Sequence, residues 1–549
     1  MIMKRNVLKM LLAGAIVLVG MAMTSCSKDE VNDGGVDPGN DGSGIYQDPG
    51  LVKMNENQFN TKVPTLTSGF DQNIVNALKA NLRITDVKPY RRVYSLNSNS
   101  GKFESGVAYF FNYIQDIDHN NPQLGTFKQQ CVLSVAGKDR PTVLNTHGYA
   151  LGGGTPNNNF NRIDSLFDPT LVLLLNANSL HIEHRYQGWS LPEGWTNKWT
   201  YLNAKQQSDD LHAIVTAIKQ TGIISEKSKW LSTGVSKDGM TTAFYAFHYP
   251  NDMDAYVPFC APFLTQLRDP RCYTYILNEP ALENLGVDNV KEAFVKYCSD
   301  KKLQSEVTKL FIQKNPQLAI YGEETIRLEL LKALFTFYFA KMSYVSYDTW
   351  MPLIPKKDET NAQIWLDFIL ANQDSAYDDE KEWEYLRRKK DAGDESNYYV
   401  GDFTYETAEA PLMRAASLPE RNDPYDMQCL IDLGETNTVF DWVKDILTAK
   451  EKEYIDPTRK PSDFGVTYDG GAFCKSFLAG MKTSKCHMLF VYGVQDPWTG
   501  ARIPDENLGE NSKILMISNG THNDYFDYWN KSELSTLTHW LDGLGFMAE

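Results

Sequence analysis

The sequence lacks the features of three large classes of protein. It contains no CxxC pair and no cluster of cysteine and histidine with the spacing of a zinc site. It is poor in positive charge, with 54 Lys and Arg against 70 Asp and Glu, which disfavours binding to nucleic acid or to an anionic membrane. No segment after residue 25 is long and apolar enough to span a bilayer. What remains is a globular chain of 549 residues, 42% hydrophobic, with enough apolar side chains for an extensive core.

The first 50 residues lie outside the predicted globular fold. Residues 1–25 combine a basic start with the apolar run MLLAGAIVLVGMAM, which is typical of a signal peptide. The following MTSC resembles the cleavage site of bacterial lipoproteins, in which Cys26 becomes the lipidated first residue. Residues 26–50 are rich in Gly and Asp and predict a flexible tether. We therefore expect a protein of the bacterial cell envelope, anchored to the outer membrane through Cys26 on its periplasmic or surface face, or secreted.

Seven cysteines follow Cys26, and an odd number leaves at least one thiol unpaired in a monomer. Export permits disulfides, but sequence alone does not fix their pairing. Cys260 and Cys272, which flank a loop, are the one pair that the sequence suggests.

The pattern of strands and helices divides the rest of the chain into three parts. Over residues 51–268, short apolar runs alternate with helical periodicity, and the alternation returns over residues 425–549. This pattern predicts an α/β fold with a parallel sheet and helices on both faces. Residues 269–424 instead show long helical periods without strands, as in EETIRLELLKALFTFYFAK. We interpret them as a helical cap inserted into the sheet domain.

Three candidate catalytic residues each follow a predicted strand. A serine hydroxyl is a poor nucleophile until a base removes its proton, and that base needs an acid to orient it. Ser236 follows KWLSTGV, Asp496 follows VYGVQ and His522 follows ISNGT, which is the chain order of a hydrolase triad. The turn GVSKDG is one residue longer than the GxSxG pattern, so it is weak evidence without the other two residues.

Other residues compete for this site or complete it. Asp505 is the alternative acid. The alternative bases are His147, His181, His184, His212, His248, His487 and His539. The oxyanion of an acyl-transfer reaction needs preorganised N–H donors. We expect one from the backbone of Lys237 and one from Gly148 or Tyr149 in the glycine-rich NTHGYALGGG. This chemistry requires no metal and no cofactor.

Five blocks of sequence, in order, resemble bacterial secreted serine aminopeptidases of the tripeptidyl or prolyl type, the mycelial tripeptidyl aminopeptidase family, which are distant relatives of prolyl carboxypeptidase and the lysosomal dipeptidyl peptidase. They are HIEHRYQGWSLP, WTYLNAKQQSDDLHAIV, KWLSTGVSKDGMTTAFYAFHYPNDMDAYVPFCAP, VYGVQDPW and GTHN. The resemblance runs from Val107 to the C-terminus and implies an α/β-hydrolase with a helical cap. In one departure, this chain has Asp238 where the family has Gly, which places a negative charge beside the nucleophile.

The resemblance also implies a function. It implies release of short peptides from free N-termini through an acyl-enzyme, with Ser236 as nucleophile, Asp496 as acid and His522 as base. An aminopeptidase must bind the substrate ammonium, and Glu183 is a candidate for that contact. The alternatives are the cap residues Glu279, Glu283 and Glu323.

Packing roles compete with these substrate-binding roles. The spacing of Glu183 and Arg185 is equally typical of a buried ion pair that fixes a loop, which is a structural role. Trp189 and Trp195 are candidates for shaping the substrate pocket, and a role in the core explains them as well.

Two other functions stay open on the sequence. An esterase or lipase would use the same fold, although the acidic surface and the missing GxSxG argue against it. A non-catalytic binding lipoprotein would make Asp238 a mark of lost activity, although the complete set of Ser236, Asp496 and His522 argues against that. We therefore expect a lipid-anchored serine aminopeptidase of the tripeptidyl or prolyl type, with peptides as substrates.

Overall fold

The structure is a computed structural model of the chain. It describes residues 65–97, 102–151, 168–188, 190–192, 198–278, 286–337, 351–370, 424–436, 439–523, 526 and 529–547. The predicted signal peptide, the tether and Cys26 lie outside these residues. Within them, no helix has both the length and the apolar character that a membrane span requires.

A nine-stranded sheet forms the centre of the fold, with the strand order β1-β2-β3-β5-β4-β6-β7-β10-β11. Its strands are Ile84–Asn97 (β1), Lys102–Asp116 (β2), Thr126–Ser134 (β3), Thr142–Thr146 (β4), Asn178–Ile182 (β5), Trp230–Val235 (β6), Ala255–Phe259 (β7), Met488–Gly493 (β10) and Ser512–Ile517 (β11). Two strands of two residues, Arg268–Asp269 (β8) and Glu435–Thr436 (β9), form a separate parallel pair.

The sheet is mixed, which corrects the prediction of a purely parallel sheet. Strands β5, β4, β6, β7, β10 and β11 run parallel to one another, whereas β1 pairs with β2, β2 with β3 and β3 with β5 in antiparallel register. Short connections link β1 to β2 and β2 to β3. A parallel pairing would need a crossover of about a dozen residues or more, so these connections allow only antiparallel neighbours.

The described residues contain thirteen α-helices, and several of them cover the two faces of this sheet. They are Gln72–Lys79 (α1), Thr170–Leu175 (α2), Ala204–Gln220 (α3), Lys237–His248 (α4), Arg271–Asn278 (α5), Val287–Ser299 (α6), Lys301–Lys314 (α7), Glu323–Phe337 (α8), Ala362–Leu370 (α9), Pro424–Gln428 (α10), Ala449–Ile455 (α11), Ala472–Met481 (α12) and Lys531–Gly543 (α13). A π-helical turn, Cys429–Leu433, continues directly from α10.

Neighbouring residues along each central strand pack on opposite faces of the sheet. Leu144 of β4 and Tyr256 of β7 belong to the core formed with α1, α3, α4 and α12. Val143 and Val257, the adjacent residues, belong to the core formed with α2 and α13. The strands are buried on both faces, which explains why their sequences are nearly continuous apolar runs. The α/β fold class predicted from the sequence, a sheet with helices on both faces, is confirmed.

A second core lies among helices α5 to α9. It is built on side chains such as Phe294, Leu331 and Trp365, all fully buried. Phe440 and Ile455, which come after residue 424, also belong to it. The helical character expected between β7 and β10 is therefore present in the described residues, while the boundaries 51–268, 269–424 and 425–549 stay predictions.

The seven cysteines after Cys26 are buried thiols, and no disulfide joins them: Cys131, Cys260, Cys272, Cys298, Cys429, Cys474 and Cys486. The suggested disulfide between Cys260 and Cys272 is therefore wrong. Cys272 packs as a small hydrophobic residue in the core among helices α5 to α9, and Cys260 is buried beside the loop that follows β11.

Candidate active site

Ser236 lies in a sharp turn between β6 and α4. Its backbone has φ 59° and ψ −121°, a conformation that residues with a Cβ rarely adopt. Two hydrogen bonds hold the turn: the N–H of Ser236 donates to Phe259 O at 2.9 Å, and its carbonyl accepts from Met240 N at 2.9 Å. The side chain is partly exposed. This is the geometry of a nucleophile presented on a strained strand-to-helix turn.

Two glycines make this turn sterically accessible. A Cβ on Gly234 would lie 2.6 Å from both the backbone C and the Cβ of Asp238. A Cβ on Gly239 would lie 2.5 Å from Phe259 O. Since atoms do not approach so closely, the first turn of α4 can pass over the ends of β6 and β7 only if both positions lack a side chain.

Asp496 and His522 form a buried hydrogen-bonded pair. Asp496 caps the turn after β10, and its Oδ1 accepts the Trp498 N–H at 3.0 Å. Its Oδ2 lies 2.8 Å from Nδ1 of His522, which follows β11. The exposed fraction is 0% for Asp496 and 4% for His522. A carboxylate at Nδ1 fixes the proton on that nitrogen, so Nε2 becomes the nitrogen that can accept a proton.

The loops that carry this pair touch through two glycines. A Cβ on Gly493 would lie 2.3 Å from Gly520 O, and the N–H of Gln495 donates to the same carbonyl at 3.0 Å. Backbone therefore packs directly on backbone at the carboxyl ends of β10 and β11. This close contact brings Asp496 within hydrogen-bonding distance of His522.

Cys260 connects the serine turn to the histidine loop. It directly follows Phe259, whose carbonyl holds Ser236, and its Sγ donates to Thr521 O at 3.6 Å and Asn523 O at 3.7 Å on either side of His522. The parallel strands β6, β7, β10 and β11 are adjacent in the sheet. Ser236 and the Asp496–His522 pair therefore lie at the same edge of the sheet, the one formed by the carboxyl ends of these strands.

Cys260 also belongs to a group of three potential metal ligands. Among the described residues, Cys260, Asp496 and His522 have donor atoms within 4.8 Å of one another. The hydrogen bond between Asp496 and His522 already joins two of these side chains. Burial, followed by the neighbouring Asp496 carboxylate, raises the pKa of the Cys260 thiol well above its usual value, which keeps it protonated.

The three residues predicted to supply oxyanion donors converge at the start of α4. Lys237 is the first residue of this helix, so its backbone N–H points out of the helix N-terminus beside Ser236. The Gly148 N–H instead donates to Oδ1 of Asp238 at 2.5 Å. Tyr149 is held by its carbonyl, which accepts from His184 N at 3.2 Å. Of the two loop candidates, Gly148 therefore already has an acceptor within the protein.

The side chain of Lys237 is buried near the same loop. Its Nζ lies 3.4 Å from His184 Nε2 and 3.4 Å from Thr241 Oγ1. Burial lowers the pKa of Lys237 to about 8, and the carboxylates of Asp432 and Asp238 act in the opposite direction. Burial and then the Lys237 charge hold the pKa of His184 well below its usual value, so the neutral imidazole faces the ammonium.

Glu183 stabilises a loop and is only 1% exposed. Its Oε1 accepts the Leu151 N–H at 2.9 Å, and its Oε2 accepts the N–H and the hydroxyl of Ser190 at 3.0 and 2.7 Å. Arg185 pairs with Asp210, through contacts of 2.7 and 2.6 Å. In these contacts Glu183 holds the loop through Leu151 and Ser190, and Arg185 binds Asp210 instead of Glu183. Both oxygens are engaged, which argues against the predicted contact with substrate.

The other predicted substrate-binding residues are mostly outside the described residues. These are Trp189, Trp195, Glu279 and Glu283. Glu323 is described and lies at the exposed start of α8, where its carboxylate accepts from Ser305 Oγ at 2.8 Å. The alternative acid Asp505 is 72% exposed and pairs with Arg502 at 2.9 Å, away from His522.

A chain of polar contacts that the sequence did not predict lies under the loop after β4. His147 Nε2 is 3.0 Å from His181 Nδ1, and His181 Nε2 is 2.9 Å from Asp168 Oδ1. Arg92 binds the other oxygen of Asp168 at 2.6 Å. Burial lowers the pKa of His181. Two of the rival bases, His147 and His181, are therefore bound to each other, an arrangement for which the sequence offers no local signal.

Comparison with known proteins supports a peptidase. The family model of PS-10 peptidase S37 matches residues 90–292. The prolyl tri/tetrapeptidyl aminopeptidase of Streptomyces mobaraensis is 25% identical over 392 residues, 71% of this chain and 69% of the relative. The predicted resemblance to this family of aminopeptidases is confirmed. Together the two matches support a serine-type peptidase.

Solved α/β-hydrolases are similar to this chain at low identity. The proline iminopeptidase of Mycobacterium smegmatis is 10% identical, with a TM-score of 0.31, covering 79% of this chain and 98% of its own. The acetyl xylan esterase of Paenibacillus sp. R4 is 10% identical, with a TM-score of 0.32, covering 89% and 99%.

Proposed function

We propose that this protein is a lipid-anchored serine aminopeptidase of the tripeptidyl or prolyl type that cleaves peptides through an acyl-enzyme. The observation that carries the proposal is the buried 2.8 Å contact between Asp496 and His522, at the sheet edge where Ser236 occupies a strained turn. The specificity for free N-termini and for proline is supported by the name of the Streptomyces relative.

The reaction begins with attack of Ser236 Oγ on the carbonyl carbon of the scissile peptide bond. Nε2 of His522 takes the serine proton, and the Asp496 carboxylate stabilises the imidazolium that results. The N–H groups of Lys237 and Tyr149 bind the negatively charged oxygen of the tetrahedral intermediate. The imidazolium then donates its proton to the leaving amine, and the acyl-enzyme forms.

Hydrolysis of the acyl-enzyme repeats these steps with water. His522 accepts a proton from water, the hydroxide attacks the ester carbonyl, and the proton returns to Ser236 as the released peptide departs. Every proton in this cycle passes through Nε2 of one imidazole, so the enzyme requires no metal and no cofactor for this chemistry.

Paired fluorogenic peptides test the proposal. The protein lacking residues 1–26 is given Ala-Ala-Pro-reporter with a free amine and the same peptide with an acetylated amine. We expect cleavage of the free-amine peptide alone, abolished by Ser236→Ala. Equal cleavage of both peptides would indicate an endopeptidase, and turnover of short-chain esters with neither peptide cleaved would indicate an esterase. Absence of all three activities would favour a binding lipoprotein.

Membrane attachment is tested separately. Lipidation at Cys26 predicts that the full chain incorporates a clickable fatty acid and sediments with membranes, and that Cys26→Ala does neither. A variant that still incorporates the fatty acid would rule out Cys26 as the modified residue.

A further inference from the structure

Asp238 joins the start of α4 to the loop that follows β4. Its carboxylate Oδ1 accepts the Gly148 N–H at 2.5 Å, and its backbone carbonyl accepts the Thr146 hydroxyl at 2.8 Å. Asp238 is also the residue against which Gly234 packs without a side chain. Asp238, two positions after the candidate nucleophile, therefore contacts both β4 and β6, the strand that leads to Ser236.

The approach of Gly148 to α4 is very close. A Cβ on Gly148 would lie 2.2 Å from Cγ of Lys237 and 2.9 Å from Oδ1 of Asp238. The glycine thus allows the backbone to lie directly on the helix terminus, with its N–H aimed at the carboxylate. A hydrogen bond to an ionised acceptor is stronger than one between neutral groups, so this amide is committed to holding the loop.

Residues on either side of Gly148 are anchored to a different part of the fold. His147 contacts His181 at 3.0 Å, the Tyr149 carbonyl accepts from His184 N at 3.2 Å, and the Leu151 N–H donates to Glu183 at 2.9 Å. These three contacts attach the loop to β5 and to the residues after it. The Gly148 bond attaches it to the helix that begins at Ser236.

We infer that Asp238 is a positioning residue for the oxyanion-stabilising loop: its carboxylate fixes Gly148 on helix α4 and thereby sets the position of the next amide, that of Tyr149, relative to Ser236. This inference rests on the proposed function, in that Ser236 is the nucleophile. It assigns the Gly148 amide to structure and the Tyr149 amide to the oxyanion. It also assigns a role in activity to Asp238, which stands where the similar aminopeptidases have Gly.

The negative charge of Asp238 has a counter-charge nearby. Buried Lys237 is the adjacent residue, and the Asp238 carboxylate raises its pKa against the larger effect of burial. Asp432 acts on the pKa of Lys237 in the same direction, while burial raises the pKa of Asp432 itself to about 7. The Lys237 charge offsets the repulsion that an isolated carboxylate would exert on a developing oxyanion.

Two substitutions separate the hydrogen bond from the charge. Asp238→Asn keeps an oxygen acceptor for the Gly148 N–H, whereas Asp238→Ala removes it. Loss of one well-placed oxyanion donor lowers kcat by about 10²- to 10³-fold, and a displaced donor costs less. We expect Asp238→Ala to lower kcat by about 10- to 100-fold with KM nearly unchanged, and Asp238→Asn to stay within about threefold of the parent.

The rate of labelling by a fluorophosphonate is the second readout, because its phosphoryl oxygen also occupies the oxyanion site and no peptide is needed. The full chain in detergent is used for all variants. Asp254→Ala is the matched control, since Asp254 binds Lys229 at 2.9 Å at the amino end of β7, the opposite edge of the sheet. We expect the labelling rate to fall with kcat in Asp238→Ala and to remain unchanged in Asp254→Ala.

The outcomes separate this inference from the proposed function. A parent protein that fluorophosphonate does not label refutes Ser236 as nucleophile, and both ideas fail together. A labelled parent with Asp238→Ala labelled within threefold overturns the inference alone. If Asp238→Ala does not fold, Asp238→Asn decides: retention of the parent rate supports the acceptor role, and a tenfold loss overturns it.

Discussion

Replacement of Asp496 by Asn exchanges one carboxylate oxygen for an NH₂ group. We expect this exchange to move the imidazole proton of His522 from Nδ1 to Nε2. Oδ1 of Asp496 accepts the Trp498 N–H at 3.0 Å, so the carboxamide oxygen of Asn will keep that position. The NH₂ group then takes the place of Oδ2, 2.8 Å from Nδ1 of His522. Two N–H donors cannot face each other, and the imidazole proton moves to Nε2.

The magnitude follows from this change of tautomer. An imidazole protonated on Nε2 cannot accept the proton of Ser236, and the carboxylate that stabilised the imidazolium is lost as well. Such a change in a serine–histidine–aspartate triad lowers kcat by about 10⁴-fold, which corresponds to about 5 kcal/mol of transition-state stabilisation. We expect a loss of this size for Asp496→Asn with little change in KM, because Asp496 is fully buried and does not contact substrate.

The assay measures kcat and KM on the free-amine peptide together with the fluorophosphonate labelling rate, and circular dichroism and a thermal melt verify the fold. Asp505→Asn is the matched control, since this alternative acid is 72% exposed and pairs with Arg502. We expect its activity to stay within about twofold of the parent, as for most surface substitutions. A loss of less than tenfold in folded Asp496→Asn would refute the assignment of Asp496 as the orienting acid.

Three further predictions concern the turn and the core. Ser236→Ala should lower kcat by at least about 10³-fold and abolish fluorophosphonate labelling, and residual labelling elsewhere would show a second nucleophile. Gly234→Ala should lower stability by about 2–3 kcal/mol and reduce activity, because its Cβ would lie 2.6 Å from Asp238, while Gly543→Ala, with open space around it, should not destabilise the fold in the same thermal melt. Arg185→Ala should lower the free energy of unfolding in urea by about 3–5 kcal/mol, because it leaves the buried Asp210 charge without its bidentate partner; a loss under 1 kcal/mol would contradict this.

The sequence was sufficient to predict the strands that end at the candidate active site. The strands before Ser236, Asp496 and His522 are apolar runs followed by glycine-containing turns, and a parallel strand buried on both faces produces that pattern locally. The helices α3, α4 and α13 lie within residues 51–268 and 425–549, where helical periodicity alternates with short apolar runs, because that periodicity is a local signal. The chain order of the three residues then followed without any knowledge of the contacts between them.

Contacts between residues far apart in the chain could not be predicted from the sequence. The direction of β1 to β3 depends on which strands become neighbours, and alternating side chains are compatible with either direction. The pairing of Arg185 with Asp210 rather than Glu183 depends on where α3 crosses the sheet. The bond from Gly148 to Asp238 depends on a backbone approach that becomes visible only when the two loops are placed together.

The pairing of β7 with β10 has a consequence for synthesis of the protein. These strands are neighbours in the sheet, yet the whole stretch from residue 260 to residue 487 separates them in the chain. During synthesis, β7 cannot pair with β10 until that stretch has left the ribosome. Until then the edge of β7 has unpaired backbone N–H and C=O groups, which must be shielded from pairing with other chains. Ser236 is made before this stretch, whereas Asp496 and His522 are made after it. The order of translation therefore keeps the nascent chain without an assembled site until the residues after position 487 have emerged.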